Sequence, residues 1–300
     1  MHNLLIYNPV SGRTNLRLER IGRIIFELTN SGNELTVYQT QSKIDIRNFI
    51  RTKDLARYNK IICYGGDGTL HEVVNGLIES GADRPLGYIP AGSTNDYAKN
   101  LGINERTAID CIKKGLMKTV DIGRFGEEYF NYIAAFGAFT NVSFLTPQKS
   151  KNALGYLAYL LEGVRHLSDI KPYHVKFDID GVIIEDNVVV GMMTNAFSVA
   201  GVRNKRGADI YLDDGKMEYV LIKMPDNVLE IQTIVTLLLS SKVDARFMYY
   251  GQFKKMKIFS EPMQWTLDGE NGGVFEKVEI KVCYRQLNMF VKGLGENAEG

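Results

Sequence analysis

Cysteine, histidine, net charge and long apolar runs are all scarce in this chain, and each shortage closes off a class of protein. The cysteines are Cys63, Cys111 and Cys283, odd in number and widely spaced, which excludes a disulfide framework, a zinc site or a redox dithiol and suits a reducing cytoplasm. His2, His71, His166 and His174 form no metal-binding or catalytic grouping. Lys and Arg (36) nearly balance Asp and Glu (35), so a formal net charge of +1 gives no field that would gather nucleic acid. No apolar run reaches the roughly 18 to 20 residues that span a bilayer; the best, Leu237-Leu238-Leu239, is far too short. The opening passes from Met1 into a strand-like run with neither a basic leader nor a small-residue cleavage site, so a signal peptide is not expected. Any membrane contact is therefore expected to be peripheral.

What is present is an ordinary globular composition, 45% hydrophobic and 24% charged over 300 residues, without repeats or low-complexity tracts. Strand and helix signals alternate at first. Asn3 to Tyr7, Leu35 to Tyr38, Ile61 to Tyr64 and Leu86 to Ile89 read as strands. Between them, Leu18, Ile21, Ile24, Ile25 and Leu28, then Ile46, Phe49 and Ile50, then Leu70, Val73, Val74, Leu77 and Ile78 fall at helical spacing. The expectation is a parallel sheet covered by helices.

Past about Gly123 strands follow one another instead. Val175, Phe177 and Ile179 alternate into an Asp180-Gly181 turn and out through Val182 and Ile184, a hairpin signature. Further strands are expected at Val188 to Met193, Met217 to Ile222, Ala245 to Tyr250, Met256 to Phe259, Gln264 to Leu267, Val278 to Val282 and Leu287 to Val291. Two helices interrupt them, one with Leu154, Leu157, Leu161 and Val164, the other with Val228, Ile231, Val235, Leu238 and Leu239. The glycine- and glutamate-rich stretch Gly293 to Gly300 reads as a frayed tail. The expected division is 1–124, with 286–300 as a candidate completion, and 125–285.

The strongest chemical signal is Gly65-Gly66-Asp67-Gly68-Thr69 between a buried strand and an amphipathic helix, where free backbone N–H groups meet anions. Glycines let backbone approach phosphate oxygens, Thr69 can cap the helix or donate to phosphate, and Asp67 offers a hard oxygen ligand to Mg²⁺. Neither Walker A nor the dinucleotide fingerprint fits: no Gly-Lys-Ser/Thr ending exists, and His71 stands where the fingerprint wants a small residue. Asn8-Pro9-Val10-Ser11-Gly12 follows the first strand and Pro90-Ala91-Gly92-Ser93-Thr94-Asn95-Asp96 the fourth. In an open parallel sheet such loops share the carboxyl edge, where ligands bind. Two later Asp-Gly turns, Tyr211 to Lys216 and Trp265 to Glu270, carry surplus carboxylates. Phosphoryl transfer to an alcohol needs a base and metal-holding groups, and Asp213, Asp214, Asp268 and Glu270 are equal candidates on residue type alone.

These motifs, in this order along nearly the whole chain, resemble the catalytic domain of the diacylglycerol kinases, sphingosine kinases and their soluble bacterial relatives. The resemblance implies a phosphofructokinase- and NAD-kinase-like α/β nucleotide domain, a mainly β sandwich domain for the lipid, and an active site between them. It implies ATP contacts from Asn8, Pro9, Val10, Ser11, Gly12, Thr40, Gly65, Gly66, Asp67, Gly68, Thr69, Leu70, His71 and Thr94, with Asp67 central to Mg-ATP and Glu270 the general base. A structural Mg²⁺ is implied at the Asp214 side chain and the main-chain oxygens of Tyr211 and Lys216. His71 stands where relatives commonly have Asn, and Arg206-Gly207-Ala208 where they often have Pro. The expected activity is γ-phosphoryl transfer from Mg-ATP to a lipid hydroxyl, diacylglycerol first, phosphatidylglycerol or a sphingoid base behind it. NAD kinase and a non-catalytic nucleotide or lipid sensor are the alternatives. Expected partners are the lipid substrate at a membrane surface, approached from the cytoplasm through basic residues such as Lys149, Lys151, Arg203, Lys205 and Arg206, with no nucleic acid; a homodimer stays open.

Overall fold

The computed structural model describes residues 1–9, 17–30, 32–92, 94–137, 170–195, 212–240 and 242–291, which divide into two compact units: Met1–Val120 with Arg285–Gly300, and Asp121–Tyr284. The helix expected around Leu154 to Val164, the tail from Gly293, and Lys149, Lys151, Arg203, Lys205, Arg206, Gly207 and Ala208 lie outside the described residues.

The first unit alternates β1 (His2–Tyr7), α1 (Arg17–Thr29), β2 (Glu34–Gln39), α2 (Lys43–Thr52), β3 (Lys60–Gly65), α3 (Asp67–Ser80) and β4 (Leu86–Pro90). Short α4 (Asp96–Asn100) and α5 (Glu105–Lys114) follow. The strands pair in parallel in the order β2-β1-β3-β4, with Tyr7 opposite Gln39 and Tyr64, and Gly65 opposite Pro90. Their carboxyl ends are therefore in register, which brings the loops after β1, β3 and β4 to one edge. Leu4 to Ile6, Ile61 to Cys63, and Leu86, Tyr88 and Ile89 are wholly buried, as parallel strands covered on both faces must be. Among the helices, α1 presents Ile21, Ile24 and Leu28 inward, and α5 starts on a capping box in which Asn104 and Thr107 satisfy each other's backbone N–H groups. α2 lies against α3 where a side chain on Gly76 would strike Ile50, and Arg47 bridges to Glu72 at 3.1 Å.

The second unit is mainly antiparallel. Its strands are the end of β5 (Met117–Phe125), β6 (Glu128–Phe130), β7 (Ile133–Gly137), β8 (Tyr173–Ile179), β9 (Val182–Thr194), β10 (Met217–Lys223), β11 (Met248–Phe253), β12 (Lys255–Leu267) and the body of β13 (Glu270–Phe290), with one helix, α6 (Val228–Leu239), between β10 and β11. The Asp180-Gly181 turn joins β8 to β9 with both residues at positive φ, 50° and 92°. Along β9 the first half is partly exposed and Val188 to Thr194 is buried throughout, because that end is covered on both faces. Phe136, Phe177, Trp265 and their neighbours pack on one, and Ile231, Ile234, Val235 and Leu238 of α6 on the other. The segments expected separately at Met256 to Phe259 and Gln264 to Leu267 are one strand carrying a register shift between Phe259 and Met263. The strand expected from Ala245 begins only at Met248, because the Asp244 carbonyl accepts the N–H groups of Phe247 and Met248 and its carboxylate holds Arg246.

Candidate functional site

The candidate residues fall in two groups, one in each unit. In the first unit, β3 runs straight into α3. The helix begins at Asp67 on a bare Gly66 N-cap, so Asp67, Gly68 and Thr69 belong to its first turn and no side chain caps it. Of the two roles open to Thr69, capping the helix is therefore not the one it takes. It is buried and its hydroxyl accepts the Asn8 side-chain amide at 3.2 Å, which ties the loop after β1 to the helix start. Asn8 is further fixed by its N–H on the Tyr64 carbonyl, and Thr40, also buried, by its N–H on Tyr7. Leu70 and His71 point into the protein, so their share of any ligand contact is through main chain. Gly66 and Gly68 are the half-exposed members of this stretch. An uncapped helix start leaves its first N–H groups and the positive end of its dipole toward an anion.

Asp67 is the centre of the arrangement. Its carboxylate is buried, with Oδ1 accepting the Tyr88 hydroxyl at 3.2 Å and the Tyr97 N–H at 3.3 Å, and Oδ2 accepting the Asp96 N–H at 2.9 Å and the Thr94 hydroxyl at 3.5 Å. It thus caps α4, whose own N-cap, Asn95, sits in the left-handed region at φ 49° and spends its amide closing the loop onto Gly92, with 2.8 Å bonds in both directions. Burial, and after it the negative charge of Asp67, push the Cys63 thiol well above its usual range, which makes it an inert core residue. Gly66 and Gly92 meet backbone against backbone. Val10, Ser11, Gly12 and Ser93 lie outside the described residues.

In the second unit the Leu267-Asp268-Gly269-Glu270 segment is a two-residue hairpin turn: Leu267 pairs with Glu270, and Asp268 and Gly269 have φ of 51° and 82°. Of the four carboxylates left equal by residue type, Asp268 is set apart here by burial. Asp268 is buried, and its oxygens accept the N–H and side-chain amide of Asn131 at 2.8 and 2.9 Å and the N–H groups of Tyr132 and Ile133 at 3.0 and 3.3 Å. Four donors occupy about the four lone-pair positions a carboxylate has, so its oxygens are turned to this contact. Glu270 follows at the first position of β13, partly exposed.

The other turn runs through Asp213 to Lys216. Asp214 accepts the Lys216 N–H at 2.9 Å, and Gly215, at φ 76°, lies against the Tyr284 ring. Asp121, wholly buried in β5, clamps this turn: its carboxylate accepts the Gly215 N–H at 2.6 Å and its own N–H donates to the Leu212 carbonyl. Asp121 was absent from the sequence candidates, although a lone carboxylate between Val120 and Ile122 in a strand was a usable signal. Tyr211 lies outside the described residues, and among the described residues no three His, Cys, Asp or Glu side chains cluster as metal ligands. The implied ion set of one carboxylate and main-chain carbonyls consists of hard oxygens, the donor type that Mg²⁺ takes. No helix among the described residues is long and apolar enough to cross a membrane.

Comparison with known proteins gives one consistent result. The family described as "Diacylglycerol kinase catalytic domain" matches residues 2–125. The chain is 33% identical over 290 residues to the diacylglycerol kinase of Bacillus subtilis (strain 168), covering 95% of this chain and 94% of that one. It is 32% identical over 273 residues to the diacylglycerol kinase of Staphylococcus saprophyticus, covering 90% of this chain and 88% of that one. Its fold matches the crystal structure of a diacylglycerol kinase from Bacillus anthracis str. Sterne with a TM-score of 0.77 over 97% of both chains, at 21% identity.

Proposed function

We propose the following chemistry for this chain, which belongs to the diacylglycerol kinase family: transfer of the γ-phosphoryl group of Mg-ATP to the hydroxyl of a lipid, with diacylglycerol as acceptor and phosphatidic acid as product. The chain is a lipid kinase, and the choice of ATP, Mg²⁺ and this lipid is our reading. The observation that carries it is the uncapped helix start at Gly66, set against the Gly92 to Asp96 loop by Asp67. That is an anion cradle held in place before any ligand arrives, as phosphoryl transfer requires.

In this reading Asn8 to Gly12, Thr40, Gly65 to His71 and Thr94 receive the nucleotide, and Asp67 serves Mg-ATP chiefly by holding Thr94 to Tyr97 against the glycines. The Thr94 bond, longer at 3.5 Å than those from Tyr88, Asp96 and Tyr97, is the one that gives way when the Thr94 hydroxyl turns to a phosphate oxygen. Mg²⁺, when bound with ATP, neutralises charge on the transferring phosphate. Glu270 accepts the lipid hydroxyl proton, supported by its partial exposure beside a saturated Asp268. Asp214, with carbonyls of Tyr211 and Lys216, holds a structural Mg²⁺. The same reading takes the first unit as phosphofructokinase- and NAD-kinase-like, supported by its parallel strand order, and the second as a lipid-binding β-sandwich. A lipid acceptor brings the enzyme to the cytoplasmic membrane surface in peripheral contact.

The test is transfer of labelled γ-phosphate from ATP to single lipids in mixed micelles, with Glu270→Gln beside the parent. We expect diacylglycerol to be the best acceptor, and a kcat about 10² to 10⁴-fold lower in the variant with unchanged ATP affinity. Label on NAD, or on no acceptor, overturns the lipid kinase reading; a variant kcat within about threefold of the parent overturns the base.

A further inference from the structure

An acid at the tip of a two-residue hairpin normally faces water. Asp268 does not: it is 3% exposed, and its carboxylate gathers four hydrogen bonds from Asn131, Tyr132 and Ile133 while its own N–H donates to the Ile133 carbonyl at 2.8 Å. The turn itself has no need of a carboxylate. Asn-Gly enters the same pair of positive-φ conformations at least as readily as Asp-Gly. What Asn cannot do is accept these bonds, since its amide nitrogen would confront N–H donors where an oxygen now receives them. The carboxylate therefore serves the contact with residues 131–133, the approach to β7. That strand is itself paired with β12, Ala134 opposite Leu267, so the hairpin tip is fastened both through the ladder and through the Asp268 side chain.

Glu270 leaves this turn two residues later, opposite Leu267. We infer that Asp268 is a positioning residue for Glu270: by fixing the hairpin tip to residues 131–133 it holds the Glu270 carboxylate where the acceptor hydroxyl must arrive. The inference rests on Glu270 as the base, and it deepens that reading by giving the base its support. A free hairpin tip wanders by more than the tolerance of proton transfer, and a misplacement near 1 Å costs on the order of 10²-fold.

The test is a cycle of four proteins in the micelle assay: parent, Asp268→Asn, Glu270→Gln and the double variant, each with kcat, KM for Mg-ATP and thermal midpoint. We expect Asp268→Asn to lower kcat by roughly 10 to 10²-fold with KM for Mg-ATP unchanged, and to lower it by less than about threefold further when Glu270 is already Gln. A support that acts through Glu270 has nothing left to position once the base is gone. Equal losses in both backgrounds, or a folded Asp268→Asn with kcat within about threefold of the parent, overturn the inference. A Glu270→Gln enzyme that keeps its kcat overturns instead the base assignment. Should Asp268→Asn not fold, Asn131→Ala replaces it in the cycle. That variant removes the 2.9 Å side-chain bond and leaves the backbone donors, so a smaller loss of kcat confined to the Glu270 background is expected, and an equal loss in both backgrounds again overturns the inference.

Discussion

Gly66 and Gly92 face each other so closely that a methyl group built on Gly92 would stand 2.6 Å from the Cα of Gly66. Backbone cannot swing aside as a side chain does, so Gly92→Ala must part the two loops that form the anion cradle. Both glycines lie just past the ends of β3 and β4, and the fold should persist with a native circular dichroism spectrum. Titration calorimetry should show Mg-ATP binding weakened at least about tenfold, the size of effect a misplaced loop produces. Unchanged binding would mean that the cradle is elsewhere.

Asp67→Asn should damage stability and activity together. Beyond any role with a ligand, Asp67 accepts the Asp96 and Tyr97 N–H groups and the Tyr88 hydroxyl. An amide in its place loses part of that acceptance and the charge that strengthens it, a change worth about 1 to 3 kcal/mol. Denaturant unfolding should show that loss, and the kinase assay should show little turnover even well below the new midpoint. A variant with parental stability would separate Asp67 from α4.

Asp214→Ala should lower activity by loosening the Leu212 to Lys216 turn rather than by removing a proton acceptor. Mg²⁺ should raise the thermal midpoint of the parent and leave that of the variant unmoved, since a ligand that binds only the folded protein stabilises it. Equal shifts in both proteins would put the ion somewhere else.

Glu279 supplies a pH test that is independent of catalysis. Lys281 at 2.7 Å and Lys255 at 2.9 Å hold its carboxyl down to about 2 from an ordinary 4.5. A depressed folded value means that the pairing stabilises the protein above about pH 4.5 and loses its effect as pH falls toward 2. The site is more than a third open to water, so solvent limits the gain to less than about 1 kcal/mol. Glu279→Gln should therefore unfold slightly earlier than the parent at pH 7, and the difference should shrink steadily in acid. A gap that widens in acid would reverse the sign and refute the assignment.

The parallel strands of the first unit were legible because burial on both faces writes unbroken runs such as Ile61 to Tyr64, and the β8–β9 hairpin because Asp180-Gly181 is explicit turn chemistry. Strand lengths were not: a bulge such as that between Phe259 and Met263 interrupts the period without ending the strand. The start of β11 was misread because Asp244 captures Arg246 locally, an interaction that apolar patterning does not register. At the site, the glycines marked the place but not the partners. Asp67 binds residues 21 to 30 positions away, and Asp268 binds residues 135 to 137 away, and no local spacing encodes such pairs. Residue type could not divide Asp268 from Glu270; burial, complete at the first and partial at the second, begins to.

The first unit also takes residues from the far end of β13. Met289 pairs with Leu86 and receives the Tyr97 hydroxyl at 3.6 Å, the Lys60 ammonium lies 4.8 Å from the centre of the Phe290 ring, and the Val291 N–H donates to the Leu116 carbonyl. During synthesis the amino-terminal half of the chain therefore emerges without the strand that flanks β4, while residues 121–284 form one uninterrupted stretch. The usual order of assembly is inverted. The unit translated second can close first, and the first unit waits, with the edge of β4 uncovered, until residues 285–291 have followed it.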